Sequence, residues 1–312
     1  MKSSSPIAIT GGTGFIGGAL AEACLADGRA VRLLVRSVGE RAQALRTQGA
    51  VLIEGDLHDT AALNALCQDA HSVVHCAAEM GKRDADKSTR INVEGTQHVL
   101  TAAARGGVQR FQYVSSISVY RGTSSATRVF TEAHSPFLHP KLNNYSRTKL
   151  EGEHLVQAFC QNTEMDYVIV RPTNVYGPGC RPWGREVEDF VKRFRISFGR
   201  VPFNFIHIAD LVDAMCLALD TDEAANETFN FGTEMIPLCE FQEYIAHTIG
   251  ASVMRVPRLI DATIRHSIDS YGRLSGEVRS TAYTVHAHYP HTKAKTILGY
   301  GPKHRIKETA TP

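Results

Sequence analysis

The chain has 312 residues, of which 43% are apolar and 21% charged, and its formal net charge is +2. These are the proportions of an ordinary globular protein long enough to bury a sizeable core, and the near-neutral balance gives no reason to invoke nucleic acid or an acidic membrane as partner. No uninterrupted apolar run reaches the roughly 18 residues of a spanning helix.

Met1 to Pro6 leads directly into a first strand, which predicts no signal peptide and a cytoplasmic setting. Pro6–Thr10 is a short apolar run suited to a buried parallel strand. Gly11, Gly14 and Gly17 follow at G-x-x-G-x-x-G spacing and enter a helical pattern that includes Phe15, Ile16, Leu20 and Cys24. Glycine permits turn torsions closed to other residues and lets a phosphate approach the main chain. The helix start then offers free N–H groups and a partial positive charge to a dinucleotide pyrophosphate. A second strand, Ala30–Val35, ends at Arg36, where an acid would take up the ribose hydroxyl of NAD. A guanidinium there matches the 2′-phosphate of NADP, so NADP is expected, with NAD as the alternative.

Strand-like and helix-like segments alternate over the first 170 residues or so. Strands are expected at Val51–Glu54, Ser72–Cys76, Arg110–Val114 and Tyr167–Arg171, with helices at Asp59–Cys67, Asp84–Arg105 and Asn143–Gln161. Repeated β-α-β units predict an α/β fold of Rossmann type, a doubly wound parallel sheet with helices on both faces. Beyond Arg171 the prolines and glycines from Pro172 to Pro182 read as a long loop. Helices at Glu186–Phe198, Ile208–Leu219 and Leu238–Ile249 and a strand at Thr228–Phe231 are then expected. From Arg258 to Ser270, Ile260, Ile264 and Ile268 form one helical stripe expected to pack on the body of the protein. The division is 1–172 as the dinucleotide-binding domain, carrying the catalytic groups, and 173–312 as a smaller mixed substrate-binding region interleaved with it.

Tyr145 and Lys149 stand four residues apart, on one face of a predicted helix. A free phenol has a pKa of about 10, and a nearby ammonium lowers it toward useful acid/base work. Tyr145 can then give a proton to a carbonyl oxygen or take one from an alcohol. Lys149 can also hydrogen-bond the nicotinamide ribose. A serine at Ser115 or Ser116, at the end of a strand, would orient the substrate oxygen.

Together the residues resemble an extended short-chain dehydrogenase/reductase, of the NAD-dependent epimerase/3β-hydroxysteroid dehydrogenase group. The resemblance rests on Thr10–Gly17, Gly55–Leu57, His75–Ala78, Asn92–Thr96, Val114–Tyr120, Tyr145 with Lys149, Arg171–Pro172, Val175–Gly179, Ile206–Leu211 and Leu298–Pro302. It implies that Ser116 is the catalytic serine, Tyr145 the acid/base, Lys149 its partner and Asn92 the support of a proton relay through water to the lysine. It further implies that Asp56 and Leu57 border the adenine, and that Ala77, Ala78, Pro172 and Val175 flank the nicotinamide half. Arg121 stands where the family usually has glycine, a departure that bears on the substrate mouth. A homodimer is implied by the same resemblance.

The expected activity is hydride transfer between the nicotinamide and a secondary alcohol or ketone of a small, apolar or cyclic substrate. A nucleotide-sugar epimerase or reductase is the alternative. The segment Arg195–His207 is short for that role, and Arg200 is its one nucleotide-binding candidate, out of the usual register. A non-catalytic dinucleotide-binding regulator is the reading from another class. Phe198, Phe203 and Phe205 are expected mainly in the core. The seven cysteines are scattered, without a C-x-x-C pair, so neither zinc nor a disulfide framework is expected. His286, His288 and His291 match no common metal spacing and read as a solvated loop, and no metal site is expected.

Overall fold

β1 (Ile7–Thr10) is buried along its length and has a parallel neighbour on each side, β2 (Val31–Val35) and β4 (Ser72–His75). The computed structural model describes residues 6–80, 84–122, 129–140, 142–180, 184–264, 266 and 287–306. With β3 (Val51–Glu54), β5 (Arg110–Val114), β6 (Asp166–Pro172) and β10 (Glu227–Phe231), these strands form one parallel sheet of seven in the order β10-β6-β5-β4-β1-β2-β3. One face is covered by α1 (Phe15–Ala26), α2 (Glu40–Thr47) and α8 (Ile208–Asp220), through Leu20, Leu45, Leu211 and Met215. The other is covered by α3 (Thr60–Cys67), α5 (Gly95–Arg105) and α6 (Asn144–Cys160), through Leu63, Val99, Leu100 and Val156. The α/β class and its doubly wound sheet are thus as expected.

The return of α8 and β10 to this sheet means that the chain beyond 172 builds the smaller unit in two parts, completing the larger one between them. The smaller unit holds β7 (Asn174–Tyr176), α7 (Gly184–Phe194), β8 (Ile196–Ser197), β9 (Pro202–His207), β11 (Glu234–Pro237), α9 (Leu238–Thr248) and β12 (Met254–Arg255). β7 runs parallel and β11 antiparallel to β9, and β12 pairs with β8.

Several segments depart from expectation. The loop read from Pro172 to Pro182 contains β7, whose three residues pair with Phe205–His207. The helix expected over Asp84–Arg105 is three pieces: α4 (Ala85–Thr89), a π-helical turn at Arg90–Glu94, and α5. The helix at Arg258–Ser270 is present over 258–264, and the rest lies outside the described residues. Its expected packing stripe is reversed, since Ile260 is 53% exposed while Asp261 is 4% exposed. Asp261 Oδ1 accepts from the Gly199 N–H at 2.5 Å, and that bond turns the helix. Phe205 is buried against Phe241, as expected of a core residue.

Buried polar residues tie the layers together, as buried donors and acceptors must be. Arg110, on β5, donates to Asp166 at 2.8 Å and to the carbonyls of Ala218, Leu219 and Thr221 at the end of α8. His75, 0% exposed, links three segments. The Ala77 N–H donates to Thr10 Oγ1 at 3.3 Å, and Thr10 Oγ1 lies 2.6 Å from His75 Nδ1. His75 Nε2 lies 3.0 Å from Thr96 Oγ1, which donates to the Asn92 carbonyl at 2.7 Å. Since the Thr96 hydrogen is committed to Asn92, Nε2 carries the imidazole proton and Nδ1 accepts from Thr10. A second proton has no place, and burial, with the Lys149 charge adding to it, brings His75 down to about 3.

Because that folded value lies below the ordinary 6.5, the unfolded chain binds the extra proton first. Stability from this group is therefore complete above about pH 6.5 and is lost as pH falls toward about 3, with a slope of up to about 1.4 kcal/mol per pH unit. Urea unfolding at a series of acidic pH values will show this slope, and His75→Gln will flatten it. A second prediction concerns Asp210, 1% exposed, which accepts from the backbone N–H of Lys303 and of His304 at 3.0 Å each. Asp210→Ala will lower unfolding stability by about 2–4 kcal/mol in the same assay, by leaving both donors unpaired.

Candidate active site

The turn from β1 into α1 is built by glycines for distinct reasons. Gly11 has φ +68°, and a Cβ there would sit 2.7 Å from the Ala77 nitrogen. A Cβ on Gly17 would sit 2.5 Å from the Gly11 carbonyl, so only glycine lets the helix rest on the turn. Gly14 is the N-cap and has no capping side chain. The first-turn N–H groups and the positive end of the helix dipole are thus arranged as an anion site. Arg41 Nη1 donates to the Gly14 carbonyl at 2.8 Å and braces the turn from outside.

A cleft of about 1260 Å³ opens beside this turn. Gly11, Gly14, Arg36, Asp56, Leu57, Ala77 and Ala78, drawn from the ends of β1, β2, β3 and β4, line it together. Asp56 Oδ1 accepts from the His58 N–H at 2.7 Å, which shapes the loop after β3. Lys87, bound to Glu79 at 2.8 Å, stands close enough to Arg36 for the two cations to repel. Sequence reasoning missed His58, Lys87 and Arg90 on this wall, since they belong to no local motif. Phe15, Ile16 and Gly17 sit behind the turn, with Phe15 and Ile16 packed against the core. Pro172 ends β6, and Val175 is buried in the main core, 7% exposed, rather than on the cleft wall.

The reactive groups lie at the carboxyl ends of β4 and β5. Asn143 caps α6, its Oδ1 accepting from the Ser146 N–H at 2.8 Å, and this fixes Tyr145 in the first turn and Lys149 one turn later. The two serines after β5 divide. Ser115 Oγ donates to Glu153 at 2.5 Å, whereas the Ser116 hydroxyl lies beside the Tyr145 phenol and favours its ionised form. Lys149, 2% exposed, donates to the Val114 carbonyl at 2.7 Å and lies 4.6 Å from the centre of the Tyr113 ring. Burial lowers it to about 8, opposed by Cys76 and Glu153.

One expectation needs correction. Tyr145 is not lowered by Lys149: burial raises it, while the Ser116 hydrogen bond and the Arg121 guanidinium act against that rise. Desolvation of the phenolate outweighs its neighbours. Asn92 is buried beside these groups. Its side chain accepts from the Glu79 N–H at 2.7 Å and donates to the Glu79 carbonyl and the Thr148 hydroxyl, each at 2.9 Å. It thus clamps the loop after β4 to α6.

On the far side, Gly177 has φ +132°, and a Cβ there would meet Ile208 at 2.7 Å and His207 at 3.0 Å. His207 caps α8 through Nδ1 and stacks on His304 with ring centres 4.4 Å apart. A second cavity of about 700 Å³ lies between α7 and α9, lined by Tyr176, Arg185, Phe241 and Tyr244 among others. Arg200 is turned away, donating to the Val256 carbonyl at 2.9 Å. His286 lies outside the described residues, His288 is exposed, and His291 packs edge-on against Tyr300. Among the described residues no group of histidine, cysteine and acidic side chains is arranged to hold a metal, and no helix is long and apolar enough to cross a membrane.

Comparison with known proteins bears on this geometry. Residues 7–232 match the NAD dependent epimerase/dehydratase family. A UDP-glucose 4-epimerase of Vibrio cholerae is 31% identical over 241 residues, spanning 73% of this chain and 70% of its own. The 4-hydroxy-2-methyl-3-oxo-4-farnesyl-3,4-dihydroquinoline-1-oxide ketoreductase of Stigmatella aurantiaca is 31% identical over 255 residues, spanning 80% of this chain and 75% of its own. The crystal structure of UDP-glucuronic acid 4-epimerase from Bacillus cereus, in complex with UDP-glucuronic acid and NAD, superposes with a TM-score of 0.77 at 25% identity, covering 97% of this chain and 96% of that one. The chain belongs to the NAD-dependent epimerase/dehydratase family of the extended short-chain dehydrogenases/reductases, NAD(P)-dependent oxidoreductases and epimerases.

Proposed function

We propose that this protein is an NADP-dependent reductase or dehydrogenase acting on a secondary alcohol or ketone of a small, apolar or cyclic compound. The observation that carries the reading is the Ser116–Tyr145 hydroxyl contact one turn before the buried Lys149, beside the glycine-lined cleft. The cradle suits a dinucleotide, since side chains at Gly11 or Gly17 would fill the space where the turn and helix meet. When bound, the nicotinamide supplies or accepts the hydride. In reduction, Ser116 donates to the substrate oxygen and holds it near the phenol. Tyr145, kept protonated by burial, gives its proton to that oxygen as negative charge develops. Lys149, one turn further along α6, would hydrogen-bond the nicotinamide ribose of a bound dinucleotide. Oxidation of an alcohol runs through the same groups in reverse.

NADP is favoured over NAD because Arg36, and no acid, stands on the cleft wall at the end of β2. The reductase reading is favoured over an epimerase because Arg200 is bound to the Val256 carbonyl and lines neither of the two cavities described above. The epimerase reading draws on the Vibrio and Bacillus relatives. It predicts tight retention of the dinucleotide and conversion of UDP-hexoses without net change in reduced nicotinamide.

Fluorescence titration will find NADPH bound at least tenfold more tightly than NADH. Arg36→Ala will weaken NADPH by about 10- to 100-fold and leave NADH little changed, the worth of a charge-assisted phosphate contact. Equal affinities in the unmodified protein would overturn the cofactor assignment. In a panel of ketones followed by loss of reduced-nicotinamide absorbance, Tyr145→Phe will lower turnover by about 10²–10⁴ with cofactor affinity retained. Full turnover in that variant would remove Tyr145 from the chemistry, and epimerised UDP-hexose in place of oxidised nicotinamide would favour the second reading.

A further inference from the structure

One turn beyond Lys149 on α6 stands a carboxylate for which the mechanism above has no use. Glu153 is 1% exposed. Its Oε1 accepts from the Ser115 hydroxyl at 2.5 Å and from Arg171 Nε at 2.9 Å, and its Oε2 accepts from Arg171 Nη2 at 2.6 Å. Arg171, 4% exposed, also donates from Nη1 to the Tyr120 hydroxyl at 2.7 Å, which donates to Asn230 at 3.0 Å. A buried pair of this kind contributes little net stability, because desolvating two charges offsets most of their attraction. Its position is more informative than its strength.

Ser115 directly precedes Ser116 at the end of β5, so fixing Ser115 to α6 fixes where the Ser116 hydroxyl lies relative to Tyr145. Glu153 also occupies the i+4 position from Lys149, on the same helical side. The groups around Lys149 come from every packed element: Tyr113 and the Val114 carbonyl from β5, His75 and Cys76 from the end of β4, Tyr145 and Glu153 from α6. His75 is neutral by its hydrogen bonds, and burial holds the Cys76 thiol and the Tyr113 and Tyr145 phenols in their protonated forms. The negative charge that remains among these described groups is that of Glu153.

We propose that Glu153 is a positioning residue of the hydride-transfer site, its carboxylate clamping Ser115 to α6 and supplying the negative charge that faces the Lys149 ammonium. This rests on the functional reading above. Lys149, brought to about 8 by burial, titrates within an accessible range. NADPH affinity, followed by fluorescence from about pH 7 to about pH 10, will weaken as the ammonium is lost, and Lys149→Met will abolish that inflection. Glu153→Gln will move the inflection down by about one pH unit. Glu153→Gln combined with Arg171→Met removes the unpaired guanidinium as well, so thermal stability will recover while the displaced inflection persists. An inflection unmoved in both variants, or one that returns with stability in the double variant, would overturn the proposal and leave Glu153 a structural ion pair. NADPH and NADH both failing to bind the unmodified protein would instead overturn the functional reading, and this inference with it.

Discussion

Burying the ammonium of Lys149 is the constraint around which this end of the sheet is arranged. A lysine out of water needs an acceptor and neighbours that add no further positive charge. The acceptor is the Val114 carbonyl at the end of β5, and the ring of Tyr113 lies beneath the charge. His75, the nearest group able to become a second cation, is kept neutral because both of its nitrogens are already committed to threonine hydroxyls. The same Thr10 that holds His75 accepts from Ala77, whose backbone touches Gly11. The neutral histidine and the glycine turn are therefore parts of one arrangement. Its outer side faces the cleft and its inner side faces the lysine.

That arrangement explains why the ends of the strands can be exposed to a ligand while the strands themselves are closed to water. β4 and β5 are buried at every position, polar residues included. Their polar side chains reach past the sheet to neighbouring elements: Arg110 to the last carbonyls of α8, Gln112 to the Met215 carbonyl, His75 to Thr96 on α5. The side chains thus bind helices to strands where apolar contact alone would leave register loose. Ser116 and the cleft residues Ala77 and Ala78 follow closely after these anchored positions.

Much of this was legible in the sequence, where the information is local. The glycine spacing after an apolar run specifies a turn, and a tyrosine and lysine four apart specify a shared helical face. What the sequence hid depends on distant partners. α2 escaped notice because Ala42 and Leu45 are its only buried residues, among arginines and glutamines. β7 was masked by the prolines and glycines around it, and its pairing with β9 lies some thirty residues away. The two adjacent serines look alike by spacing alone, and what holds Ser115 is Glu153, 38 positions beyond it. The effect of Lys149 on Tyr145 was misjudged for the same reason. Spacing along a helix reveals the neighbour but not how far burial disfavours the phenolate.

Asn92 shows what such distant contacts achieve. It sits in the π-helical turn between α4 and α5, and its backbone carbonyl accepts from Thr96, the last link of the His75 chain. Its side chain holds Glu79 by both backbone groups, as a neighbouring strand would, and also bonds Thr148. Glu79 is on the cleft wall beside Ala77 and Ala78, and Thr148 directly precedes Lys149 on α6. The π turn places Asn92 where its side chain reaches both the cleft loop and α6. One buried amide therefore ties the wall that carries Glu79 to the helix that carries Tyr145 and Lys149, so that neither can shift without breaking bonds to the other.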